Sequence, residues 1–119
     1  MSQNTVQYKS YEFALRIIKL SNYLNKEHNE YVLSKQLLRS GTSIGALIRE
    51  AEHAQSKLDF INKMSIALKE ANEVDYRLSL LKDSNYLTVK NYESIQPNIE
   101  ELIKLLVSIV KTSKSNLNN

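Results

Sequence analysis

The sequence has no cysteine, no tryptophan, one proline (Pro97) and two glycines (Gly41 and Gly45) in 119 residues. Each scarcity removes a class of protein. Without cysteine there are no disulfides and no thiolate metal ligands, which fits a reducing compartment and makes the cytoplasm the expected location. β-Sheet proteins need more turn-forming residues than this, so the composition leans all-α. No apolar run approaches the ~20 residues of a membrane span. The start, MSQNTVQYKSYEF, has no apolar stretch behind a basic one, so neither a membrane nor a secretory signal is expected.

What is present is ordinary for a globular domain: 42% hydrophobic and 24% charged residues, in a chain long enough to bury a proper core. The net charge is +3, from 16 basic and 13 acidic groups, with a pI near 9.1. The whole excess falls in residues 1–58, while residues 59–119 are neutral. A mild basic bias permits a nucleic-acid partner without demanding one.

Apolar spacing then divides the chain into four helices, expected at about 8–25, 31–54, 57–82 and 88–113 within one domain spanning 1–119. The first is set by Phe13, Ile17, Leu20 and Leu24 at steps of four, three and four, widened by Ala14 and Ile18. Residues 1–7 read as polar and loose. NKEHNE, at 25–30, is a polar break in which Asn25 and Asn29 are the expected caps. The second helix carries Leu33, Leu37, Ile44, Leu47, Ile48 and Ala51. Ser56-Lys57-Leu58-Asp59 reads as a capping box opening the third, in which Phe60, Ile61, Met64, Ala67, Leu68, Ala71, Val74, Leu78 and Leu81 form the apolar side. Asp83-Ser84-Asn85 is a turn signal. Thr88 is the expected cap of the fourth helix, with Leu87 before it as a hydrophobic staple. Pro97 predicts a kink there, or else a new helix start. The tail KTSKSNLNN is expected to fray. Four amphipathic helices on short loops predict an up-down-up-down antiparallel bundle.

Several residues stand out. Gly41 and Gly45 share one face of the second helix, where each costs about 1 kcal/mol against alanine; the pair predicts close approach of another backbone. Arg39, Ser43, Ala46, Glu50 and His53 form a polar stripe on the same helix, and Arg39 with Glu70 is a candidate partly buried pair that sets register. Lys9, Arg16, Lys19, Tyr23 and Lys26 form a mostly basic stripe on the first helix, shared with Glu12. Such a row can track phosphates while the tyrosine stacks on a base, although lysine is also the default residue of a solvated face.

Catalytic chemistry finds little support. A bundle di-iron site needs Glu-x-x-His on two helices; Glu50-Ala51-Glu52-His53 supplies one, but the other histidine, His28, falls in a predicted loop. Glu70-Ala71-Asn72-Glu73 lacks an imidazole. There is no serine elbow and no phosphate loop, since no Gly-Lys-Ser/Thr follows the two glycines. No metal, no cofactor and no enzymatic activity are expected.

The stretch SGTSIGALIREAEHAQSKLDFINKMSIALKEANEVDYRLSLL resembles the bacterial family of four-helix proteins encoded in 23S rRNA intervening sequences. Its most specific parts are Arg39, Ser43-Ile44, Glu50, Asp59-Phe60-Ile61, Ser65, Ala67, Glu70 and Glu73, and the likeness spans roughly residues 11–114. It implies a four-helix protomer that assembles into a homo-oligomeric ring, commonly a pentamer. It also implies kinship with the accessory protein of diversity-generating retroelements, which engages a reverse transcriptase and nucleic acid through a basic surface. The chain departs from the family's frequent residues at Leu47, Val74 and Arg77. The expected function is a non-enzymatic accessory factor binding RNA or DNA; the alternative is a scaffold whose partner is another protein.

Overall fold

The structure, a computed structural model, describes the chain from Ser2 to Leu117, and its side chains from Thr5 onward. It is all-α, with four helices and no strand among the described residues: α1 (Ser2–His28), α2 (Val32–Glu52), α3 (Lys57–Asp83) and α4 (Val89–Leu117). The longest dimension is 51 Å against 23 and 22 Å across. That length matches helices of 27 to 29 residues at about 1.5 Å per residue, so the helices lie along the long axis. Four helix pairs are in contact: α1 with α2, α2 with α3, α3 with α4, and α1 with α4. The α1–α4 contact is the sparsest. No helix is long and apolar enough to cross a membrane.

The core follows the apolar periodicity. Phe13, Ile17 and Leu24 of α1, Leu37, Ile44 and Ile48 of α2, Val74, Leu78 and Leu81 of α3, and Ile99, Leu102 and Leu106 of α4 are almost wholly excluded from water. Burial of one such side chain is worth about 1.5–3 kcal/mol. Ile18, expected to widen the α1 stripe, is instead 41% exposed.

The helix ends depart from expectation in three places. α1 already includes residues 2–7, because Val6 is buried and anchors that first turn and a half. Second, the cap of α2 is neither Asn25 nor Asn29. Glu30 reaches forward, and its carboxylate accepts the N–H groups of Val32, Leu33 and Ser34 at 3.1, 3.0 and 2.8 Å. A carboxylate there answers three orphan donors and the positive end of the helix dipole together. Asn29 adopts φ 50°, the left-handed conformation that asparagine tolerates and that ends α1. Asn25 accepts the Ser34 hydroxyl at 2.8 Å. Third, α4 runs on through Pro97 and through most of the polar tail to Leu117. The Met1 end of the expected loose segment, and Asn118 and Asn119 of the expected fraying tail, lie outside the described residues.

The remaining ends form by the chemistry their sequences suggest. Ser56 accepts the Asp59 N–H at 3.0 Å, and Asp59 in return accepts the N–H of Gln55 at 3.3 Å, one residue earlier than a full capping box requires. Asn85, at φ 68°, closes α3 in a Schellman motif: Tyr86 N–H bonds Leu81 O at 2.9 Å and Asn85 N–H bonds Lys82 O at 3.1 Å. Thr88 accepts the Asn91 N–H at 3.0 Å, and Leu87 is buried beneath it.

Both glycines face α1. A Cβ on Gly41 would lie 2.8 Å from each γ carbon of Ile17 and 3.2 Å from its β carbon, whereas one on Gly45 would meet the Ser10 hydroxyl at 3.4 Å. Buried serines line the same seam: Ser10, Ser21 and Ser34 are nearly inaccessible. Ser10 donates to Gln7 O in its own helix, Ser34 to Glu30 O or to Asn25 of α1, and Ser21 across the seam to Ser34 O at 3.4 Å.

Candidate nucleic-acid interface on the first and fourth helices

The stripe of α1 that sequence spacing marks as basic does not face solvent along its whole length. Lys9 pairs with Glu101 of α4 at 3.2 Å. Arg16 crosses to α4 and forks, donating to the Ser94 carbonyl at 2.9 Å, to the Ser94 hydroxyl at 2.8 Å and to the Asn98 side-chain oxygen. The anchor lies one turn before the proline. Pro97 has no N–H to give to the carbonyl four residues back and disturbs the neighbouring turn, and Arg16 supplies a donor to the carbonyl next to the one left without a partner. Lys9 and Arg16 therefore hold α1 against α4. Lys19 and Lys26 are exposed and form no ion pair among the described residues, which shifts the free positive charge to the C-terminal half of α1.

Tyr23 is half-buried and its ring meets His28 edge-on, centroids 5.4 Å apart, with its hydroxyl 3.4 Å from His28 Nε2. His28 in turn meets Tyr86 edge-on at 5.5 Å. This pins the tyrosine at the end of α1. Between Tyr23 and α4 lies a groove of about 290 Å³ lined by Arg16, Lys19, Leu20, Tyr23, Leu87, Asn91, Ser94 and Ile95. Its floor is apolar, its walls carry two cations and one aromatic ring, and no carboxylate lines it. A second groove, on the other side of Arg16, is lined by Tyr8, Lys9, Glu12, Phe13, Asn98 and Glu101 as well as Arg16. There the two acids offset the two bases.

The polar group on α2 and α3 resolves into separate contacts. Arg39 Nη1 lies 3.6 Å from Glu70 Oε1, with Arg39 62% exposed and Glu70 12% exposed. Ser43 donates to its own helix, at Arg39 O, 2.6 Å away, and so bridges nothing. Glu50 is exposed and has no ion pair among the described residues. A second tie between α2 and α3 comes from a residue that spacing did not single out for this: Arg77 donates to the buried Ser40 hydroxyl at 2.6 Å while pairing with Glu73 at 3.4 Å. Ser94 and Asn98, the α4 anchors of Arg16, were equally invisible, because nothing in a single helix says which residue of another faces it. His53 sits at the C-cap of α2, and no group of three His, Asp or Glu side chains converges as a metal site among the described residues. Glu100, exposed on α4, has its carboxyl held below its ordinary value by the Gln96 amide and then by Lys104.

Fold and seam together define an all-α protein of four packed helices whose polar chemistry lies on its helix faces. Residues 2–108 match the model of the 23S rRNA-intervening sequence protein family. The chain belongs to that family. It is also similar to a solved structure from Bacteroides thetaiotaomicron VPI-5482, described as a protein with unknown function from the S23 ribosomal protein family. The two share 58% identity, the match covers 93% of this chain and 99% of that one, and the TM-score is 0.91. No curated protein matches the chain.

Proposed function

We propose that this protein is a non-enzymatic, cytoplasmic accessory factor that binds RNA or DNA through the C-terminal half of α1 and the adjoining start of α4. The observation that carries the reading is a pair of exposed lysines without an ion pair among the described residues, Lys19 in the lining of a groove with no carboxylate and Lys26 two turns further along α1. Phosphates are the natural complement of such a surface, and their binding is salt-dependent through counterion release. Lys19→Glu with Lys26→Glu is the appropriate test, because neither residue has a structural partner. Fluorescence anisotropy with a mixed-sequence RNA at low salt should show at least a ten-fold loss of affinity; no binding by the unaltered protein would refute the proposal. Changing Lys9 or Arg16 would mix binding with loss of the α1–α4 contacts.

The proposal includes an up-down-up-down course of the helices. Its support is the order of contacts: Ser10 with Gly45 and Ile17 with Gly41, Lys9 with Glu101 and Arg16 with Asn98, Ser79 with Tyr92 and Asp75 with Gln96. In each pair of helices, one number rises as the other falls. It also includes self-association, into a ring of the kind the family resemblance implies. The surface that favours this is a second apolar stripe on α1, Tyr8, Tyr11, Leu15 and Ile18, at steps of three, four and three and 65, 58, 41 and 41% exposed. Light scattering should give a mass well above the 13.7 kDa protomer, and Leu15→Lys with Ile18→Lys should return it to the protomer.

The same stripe favours the second reading, a scaffold whose partner is a different protein. A tagged pulldown scored for protein and nucleic acid separates the two: a partner recovered free of nucleic acid, and lost with Leu15→Lys, selects the scaffold.

A further inference from the structure

We infer that the groove between Tyr23 and the start of α4 is a subsite for one unpaired nucleotide, so that the nucleic acid bound is single-stranded. This rests on the nucleic-acid reading above and sharpens it. The argument is one of charge and shape. The groove that includes Tyr8 and Lys9 brings in Glu12 and Glu101, one on α3 brings in Glu73, and one between α1 and α2 brings in Glu52. Each of these carboxylates repels a phosphate. The Tyr23 groove contains Arg16 and Lys19 and no acid.

Its size and lining fit a base with its phosphate. At about 290 Å³ it lies at the lower end of ligand pockets, about 300–1,000 Å³, which suits a single ring system. Leu20, Leu87 and Ile95 form an apolar floor, and Tyr23 stands as an aromatic wall held by His28. The Asn91 side chain and the Ser94 hydroxyl are the polar groups at the edge, and an amide can read the hydrogen-bonding edge of a base. Lys19 is unpaired and exposed at the mouth, placed for the phosphate. A duplex keeps its bases stacked and paired and offers only phosphates to this surface, whereas a single strand can turn one base inward.

Asn91→Asp tests the site without threatening the fold. The change is isosteric and puts a carboxylate into the groove. Position 91 lies in the first turn of α4, where a negative charge suits the helix dipole, so thermal stability should hold or rise. Asn62→Asp, on the exposed face of α3, adds the same charge elsewhere and serves as control. The probes are a 12-nucleotide single-stranded RNA and a blunt duplex of the same length, at fixed low salt. The unaltered protein should bind the single strand about ten-fold more tightly than the duplex. Asn91→Asp should lower single-strand affinity about ten-fold and leave duplex affinity within about two- to three-fold, and Asn62→Asp should change neither beyond that. Tyr23→Leu should abolish the single-strand preference while keeping the salt dependence. Equal binding of both probes, or equal effects of Asn91→Asp and Asn62→Asp, overturns the subsite and leaves nucleic-acid binding standing. Absence of binding to either probe overturns both.

Discussion

α1 meets its two neighbours by opposite chemistries. Against α2 it packs through small residues: Gly41 under Ile17, Gly45 under Ser10, with Ser21 and Ser34 sealed between the helices. Against α4 it is held by long polar side chains, Arg16 forking onto Ser94 and Asn98 and Lys9 reaching Glu101. The first seam is close at the glycines, and its strength there is shape. The second is looser, flanked by two grooves, and its strength is a few charge-assisted hydrogen bonds. Both seams carry a groove of about 300 Å³, but the one between α1 and α2 includes Glu52, while the one between Tyr23 and α4 holds Arg16 and Lys19 with no carboxylate in its lining. That difference in charge is why the candidate interface lies on the α4 side of α1.

The comparison can be broken most severely at Gly41. Of the three staggered positions around the Ile17 side chain, two flank Gly41 and two are carbon, so no rotamer clears both flanking positions. Gly41→Leu should therefore prevent native packing, seen as loss of the cooperative thermal transition. Gly41→Ala should cost about 1–2 kcal/mol net, the overpacking strain exceeding alanine's helix preference, measured by urea unfolding. Arg16→Met keeps the aliphatic stem and removes the fork; a loss of about 1–2 kcal/mol is expected from hydrogen bonds of a charged donor at a part-buried site. If Arg16→Met costs nothing measurable, the fork does not hold the second seam. Gly45→Ala should stabilise by about 0.5–1 kcal/mol, since its new carbon meets Ser10 at ordinary contact distance and the helix gains alanine's propensity. Opposite signs at two glycines four residues apart would be the sharpest confirmation that only Gly41 is required by packing. Lys9→Gln should matter least, by about 0–1 kcal/mol, with an effect that fades as salt rises.

Much of the fold was legible. Ile17, Leu37, Leu78 and Leu102 fall in the core because a 3.6-residue period places them there whatever surrounds the helix. The turn at Asn85 and the caps Ser56 and Thr88 act within a few residues and were equally readable. Of the two asparagines expected as caps, Asn29 ends α1, while the start of α2 is served by Glu30, whose carboxylate reaches forward to three N–H groups. The tail and the first seven residues looked polar, yet Val6 extends α1 and α4 continues beyond its last buried residue, Val110. The site was legible only in outline: the basic stripe exists, but two of its cations are engaged by α4.

Sequence alone determines which side of each helix is oily and which residues share a face, since both depend on spacing within one segment. It also marks Gly41 and Gly45 as a place where something comes close. The tertiary structure decides what comes close, and for whom a charge is available. A helical period fixes a side chain's angle about its own axis and is silent on the neighbouring axis, so Arg16 and Lys19 look alike in sequence. Only the position of α4 makes Arg16 a brace beside Pro97 and leaves Lys19 free beside an acid-free groove.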